Sequence, residues 1–134
     1  MRPALLLIDH GSRVPEANLA LPELGALVRA ALAERAAAER ATAETPVAPM
    51  AVECAHMELA APSIDDAVRS LKDAGADEIV AVPCMLTPGR HATEDIPRLV
   101  AEAAERHGLA HRVTPPLGVH RLLAELVLVR ASLV

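Results

Sequence analysis

Four short apolar runs alternate along the chain with four stretches whose apolar residues recur every three or four positions. The first run, Ala4-Leu5-Leu6-Leu7-Ile8, is continuous rather than alternating, as expected of a strand buried on both faces. After it, Leu24, Leu27, Val28, Ala31 and Leu32 share one helical face, and Pro22 marks where that helix begins or kinks. Glu34 to Thr45 is Ala-rich and charged and reads as a solvated helix end. Val47 to Ala55 has strand composition. Ser63, with Asp66 three residues on, forms a capping box ahead of a stripe of Ile64, Ala67, Val68 and Leu71 that Gly75 stops. Ile79-Val80-Ala81-Val82, closed by Pro83, is the third strand. Thr93 is placed to cap a third helix, with Pro97 near its first turn. Ile96, Leu99, Val100 and Ala103 share a face of that helix, and Gly108 ends it. Arg112-Val113-Thr114 is a short fourth strand, and Leu122, Leu123, Leu126 and Val127 line a last helix.

Such a βαβαβαβα order implies an α/β fold: a single-domain, three-layer α/β/α arrangement with a four-stranded parallel sheet covered by helices on both faces. No linker, low-complexity stretch or repeat interrupts the pattern, so residues 1–134 are expected to form one domain.

Composition narrows the function. The chain is 52% apolar but has no Phe, Tyr or Trp, so a flat ligand must rest on aliphatic groups. The same absence argues against single-stranded nucleic-acid binding, which commonly uses aromatic platforms. A net charge of -5 and the lack of any long Lys/Arg run argue against nucleic acid and membrane surfaces as partners. Arg2 before Leu5 to Ile8 imitates a signal peptide, but Asp9 and His10 end the run short of the roughly 7–15 apolar residues of a signal core. Nothing approaches the ~20 apolar residues of a membrane span. Cys54 and Cys84 form no CxxC pair or disulfide framework and fit core positions. A soluble, cytoplasmic protein is expected.

In open parallel sheets, ligands bind beyond the carboxyl ends of the strands. Three segments leave such ends: Asp9-His10-Gly11-Ser12-Arg13, His56-Met57-Glu58, and Thr87-Pro88-Gly89-Arg90-His91. Each brings a metal-competent side chain. Two imidazoles, His10 and His91, with the carboxylate of Glu58 suit Co, Fe, Ni or Zn rather than Mg or Ca. His56 is an additional ligand or a half-exposed packing residue. His107, His111 and His120 lie near element ends and read as structural. Arg13 and Arg90 flank the site and can hold carboxylates bidentately, with Arg121 assisting. Ser12 belongs with them on the substrate side, and Met57, Leu59, Met85 and Leu86 are candidates for a flat cavity wall. There is no GxGxxG, P-loop or GxSxG signature. A histidine phosphatase would carry an arginine directly before its histidine, where this chain has Asp9, whose charge repels phosphate.

Leu7-Ile8-Asp9-His10-Gly11-Ser12-Arg13 with Pro15-Glu16-Ala17-Asn18 resembles the opening of CbiX-type sirohydrochlorin chelatases. Glu58-Leu59-Ala60-Ala61-Pro62-Ser63-Ile64 resembles their second segment. Val82-Pro83 to Leu86, Gly89-Arg90-His91 and Asp95-Ile96-Pro97 resemble the third, and Pro116-Leu117-Gly118 completes the order. The resemblance covers nearly the whole chain. It implies a class II chelatase fold and ATP-independent insertion of a divalent metal, Co2+ first with Fe2+ or Ni2+ as alternatives, into sirohydrochlorin. It carries the family's site histidines onto His10 and His91 and its acidic metal-contacting residue onto Glu58. It implies no permanently bound cofactor, and a homodimer, because the short form is like half of the longer two-domain enzymes. The chain departs from the family where aromatics are common, at His56 and Cys84. On this reading His10 and His91 bind the incoming metal and accept pyrrole protons, Glu58 completes the set, and Asp9 orients His10. A non-catalytic metal chaperone or a tetrapyrrole-binding protein is the alternative.

Overall fold

The continuous apolar runs become the strands of one parallel sheet. The computed structural model describes residues 2–41, 50–87 and 89–134, without the side chain of His91. The strands are β1 (Pro3–Asp9), β2 (Val52–His56), β3 (Glu78–Pro83) and β4 (Ala110–Val113). They lie in the order β2-β1-β3-β4, all parallel. Leu6 and Ile8 of β1 are fully buried, and Leu7 nearly so, because helices cover both faces.

Period-two alternation divides the strand residues between those faces. Leu7, Val52 and Cys54 pack with Leu21, Leu24, Val28 and Leu32 of α1 (Ala20–Arg40). Leu6, Ile8, Ala55, Ile79 and Ala81 pack with Ile64, Val68 and Leu71 of α2 (Ile64–Asp73) and Ile96 and Val100 of α3 (Arg90–His107). Ser63 makes both bonds of its capping box with Asp66. Gly108 leaves α3 with φ of 72°, a left-handed turn that favours glycine. His107 and Arg106 of α3 both bond the Asp65 carboxylate of α2, and Lys72 donates to the His107 carbonyl. Burial pushes the Asp65 carboxyl up, but hydrogen bonds from Arg106 and His107, with their charges, outweigh it and hold it below its usual range.

Several elements differ from the sequence pattern. Leu27 lies on the outer side of α1 and is exposed, because Leu21, Gly25 and Ala36 take the buried line. The second strand starts at Val52; residues 47–49 lie outside the described part. The third helix starts at Arg90, with Gly89 as its N-cap. Thr93 is therefore inside the helix, its hydroxyl donating to the Gly89 carbonyl. Pro97 also falls in the interior, where it lacks the N–H that would bond the carbonyl four residues earlier. The last helix, α4 (Arg121–Arg130), forms as expected, and His120 caps it by accepting the Leu122 N–H. Its apolar stripe is not buried, however: Leu122, Leu126, Val127 and Val129 are exposed. Among the described residues no element covers them.

Candidate active site

The strand order fixes where a site can form. From β1 the chain crosses to β2 on one side, then returns to β3 on the other. The segments leaving β1 and β3 therefore diverge at their carboxyl ends, which opens the crevice where open α/β sheets bind ligands. A cavity of about 250 Å³ lies there, lined by Asp9, His10, Gly11, Ser12, Ala17, Asn18, Cys84 and Met85.

Backbone bonds hold the end of β1 from both flanks. Met57 N–H donates to the Asp9 carbonyl at 2.8 Å, Glu58 N–H to the His10 carbonyl at 3.1 Å, and Cys84 N–H to the Ile8 carbonyl at 2.7 Å. Gly11 then turns with φ of 84°, and a Cβ there would stand 1.9 Å from the Glu58 carbonyl oxygen. Only glycine allows the first and second loops to approach so closely. Beyond it, Asn18 in the 3₁₀ turn Pro15–Asn18 accepts from Ser12 N–H at 2.9 Å and donates to the Ser12 carbonyl at 2.8 Å. The Ser12 hydroxyl accepts the Val14 N–H.

On the α1 side the same strand ends bring His56, Asp9 and Cys84 into one row. Asp9 is opposite His56 in the register, and Cys84 follows Pro83, which is opposite Ile8. His56 Nδ1 lies 2.5 Å from Asp9 Oδ1. A carboxylate only accepts, so Nδ1 carries the hydrogen. Asp9 thus bonds His56, and no contact in which it orients His10 is seen. His56, expected to be half exposed, is 2% exposed, a burial tolerable because its ring is hydrogen-bonded; an orphaned polar group there would cost about 1–3 kcal/mol.

The CbiX family model matches residues 4–133. The chain belongs to the CbiX family. It is 41% identical over 124 residues to the chloroplastic sirohydrochlorin ferrochelatase of Arabidopsis thaliana, covering 92% of this chain and 48% of that protein. The solved CbiX protein from Marinobacter aquaeolei VT8 superposes with a TM-score of 0.68 at 26% identity, covering 98% of this chain and 97% of that one. The sirohydrochlorin chelatase SirB from Bacillus subtilis subspecies spizizenii, solved in complex with cobalt, gives a TM-score of 0.67 at 28% identity. That match covers 98% of this chain and 50% of SirB. The chain therefore spans about half the length of the Arabidopsis relative and of SirB.

Within this CbiX fold the expected site residues separate. His10, Ser12 and Met85 line the cavity. Glu58 reaches the rim through its backbone, while its side chain is exposed and outside the cavity wall. His91 is the second residue of α3, and its side chain lies outside the described part. Arg13 is exposed, and Arg90, 93% exposed, pairs with Glu94 one turn on. Leu86 points to solvent and is no part of the cavity wall, because the chain has already turned away from β3. Among the described residues no three His, Cys, Asp or Glu side chains cluster closely enough to cage a metal.

Composition did not indicate Ala17, Asn18 or Cys84 as cavity residues. Asn18 could have been found as the one amide able to close the Ser12–Asn18 loop on itself. Cys84, expected in the core, is half-buried at the cavity wall. Burial pushes its thiol up to about 11, an effect that its backbone bond to Ile8 opposes and the charges of Cys54 and Asp9 reinforce. At pH 8 the thiolate fraction is thus about 100-fold below that of a thiol at 9.0. In a Cys54→Ala background, Cys84 alkylation by iodoacetamide is expected to run about 100-fold slower than that of an exposed thiol. A rate equal to that of free cysteine would show that the cavity does not shield the sulfur.

Proposed function

We propose that this CbiX chain inserts a divalent metal, Co2+ or alternatively Fe2+ or Ni2+, into sirohydrochlorin without ATP, and that it works in the cytoplasm. The observation that carries the reading is His10 at the β1/β3 crevice, on a backbone bonded at its carbonyl by the loop from β2. It is supported by two relatives, the Arabidopsis sirohydrochlorin ferrochelatase and the Bacillus sirohydrochlorin chelatase solved with cobalt. In the reaction the macrocycle gives up two pyrrole protons as the metal enters. An imidazole is suited both to accept such a proton and to hold the ion briefly. His10 takes that role, with His91 from the first turn of α3 as its partner and Glu58 as the carboxylate at the rim. Metal is substrate here, so a weak, open site serves better than a closed cage. Arg13 and Arg90, both exposed, draw the acidic macrocycle toward a protein of net charge -5. Ser12 and Met85 face the substrate edge.

About 250 Å³ is less than the roughly 300–1,000 Å³ of cavities that enclose a drug-sized ligand. The cavity therefore accommodates the reacting edge of a tetrapyrrole rather than its whole face. We infer that a second copy of the chain completes the enclosure and covers the apolar stripe of α4, as the double length of SirB suggests.

Two outcomes test the reading. Purified protein given sirohydrochlorin and Co2+ should raise the initial rate of metal insertion, followed by absorbance, above the uncatalysed control. His10→Ala should remove about 10²–10⁴-fold of that rate. A folded variant with undiminished rate contradicts the role of His10, and binding of metal or macrocycle with no rate effect favours the chaperone or carrier. Light scattering should give a dimer, and Leu126→Glu should shift it to monomer; a monomeric wild type removes the second copy from the account.

A further inference from the structure

Among the described residues, His56 is the only buried polar or charged side chain, and it sits directly beneath the cavity without lining it. Metal insertion as proposed does not use it. Its Nδ1 is occupied by Asp9, and its burial leaves an incoming ion no path to the ring. The Cβ of His56 also lies 3.0 Å from where a Gly11 side chain would begin, so any side chain at position 11 would crowd it. The imidazole therefore bonds the residue before His10, Asp9, while its own Cβ stands under the residue after it, Gly11. Backbone bonds from β2 and β3 set the height of the β1 end, but they leave the direction of the Asp9 side chain free. His56 alone fixes that direction among the described hydrogen bonds.

We propose that His56 is a positioning residue: by holding the Asp9 carboxylate it sets the direction in which His10 leaves β1. The effect on turnover rests on the chelatase reading, whereas the effect on loop geometry does not. Removing the ring frees the carboxylate. His10 then samples several orientations, and only one suits the metal. Outer partners of this kind change metal affinity or activity by about 10–100-fold.

The test uses the full chain with His56→Leu and His56→Asn. Asparagine places an amide N–H near the position of Nδ1 and can still donate to Asp9, whereas leucine cannot. In metal-free protein, H56L should move the backbone amide resonances of His10, Gly11 and Ser12 while those of β4 stay in place. It should lower kcat for insertion about 10–100-fold with KM for sirohydrochlorin unchanged, and H56N should recover most of both effects. Wild-type kcat and amide positions in H56L overturn the proposal, and so does an H56N variant no better than H56L. Should H56L fail to fold, Asp9→Asn decides the same point: its shifts must fall on His10 and Gly11, and shifts confined to α1 overturn the proposal. If the wild type inserts no metal, the chelatase reading fails, and the amide resonances alone judge the positioning role.

Discussion

The carboxyl end of β1 is held from both flanks, and the rest of the site depends on that. The carbonyls of Ile8, Asp9 and His10 are bonded in turn by the amides of Cys84, Met57 and Glu58. Three segments far apart in the sequence are thereby tied at one edge of the sheet. A parallel sheet with β1 inside it satisfies this requirement because each neighbour continues past the same end. The crevice between β1 and β3 then follows from strand order and needs no special loop.

Around that tie the chain uses small and short side chains. Gly11 removes a Cβ that would meet the Glu58 carbonyl, and Asn18 folds the following loop back onto Ser12. With no Phe, Tyr or Trp in the chain, the apolar part of the cavity wall comes from Ala17, Met85 and the Cys84 thiol. A protonated thiol is a weak hydrogen-bonding group and behaves much like a small apolar one. Beneath the cavity the Asp9–His56 bond joins the ends of β1 and β2 through side chains. Among the described residues the apolar stripe of α4 is left exposed.

Much of the fold was legible in the sequence. Continuous Leu/Ile/Val runs announced a parallel sheet, Ser63 with Asp66 announced the start of α2, and Gly108 announced the end of α3. What failed did so for tertiary reasons. Leu27 has the right period, but Gly25 and Ala36 let α1 approach the sheet along a neighbouring line. Thr93 looked like a cap because its hydroxyl can serve as one, whereas Gly89 extends the helix a turn earlier. The α4 stripe has core character, but among the described residues no element lies against it. Of the residues named for the site, His10 and Ser12 come from the segment that leaves β1 and line the cavity, as does Met85, named as a candidate wall residue. Leu86 does not, because three residues past β3 the chain has turned outward. The Asp9–His56 contact depends on the β1–β2 register, which composition does not encode.

The central claim is that a metal arrives where the ends of β1 and β3 diverge. Addition of substoichiometric Co2+ to the isotopically labelled full chain tests it directly, because the paramagnetic ion broadens nearby resonances. The account predicts that the amides of residues 9–12 and of Cys84 and Met85 broaden together and first. Broadening centred on His107 and Asp65, between α2 and α3, with the cavity residues untouched, would contradict it.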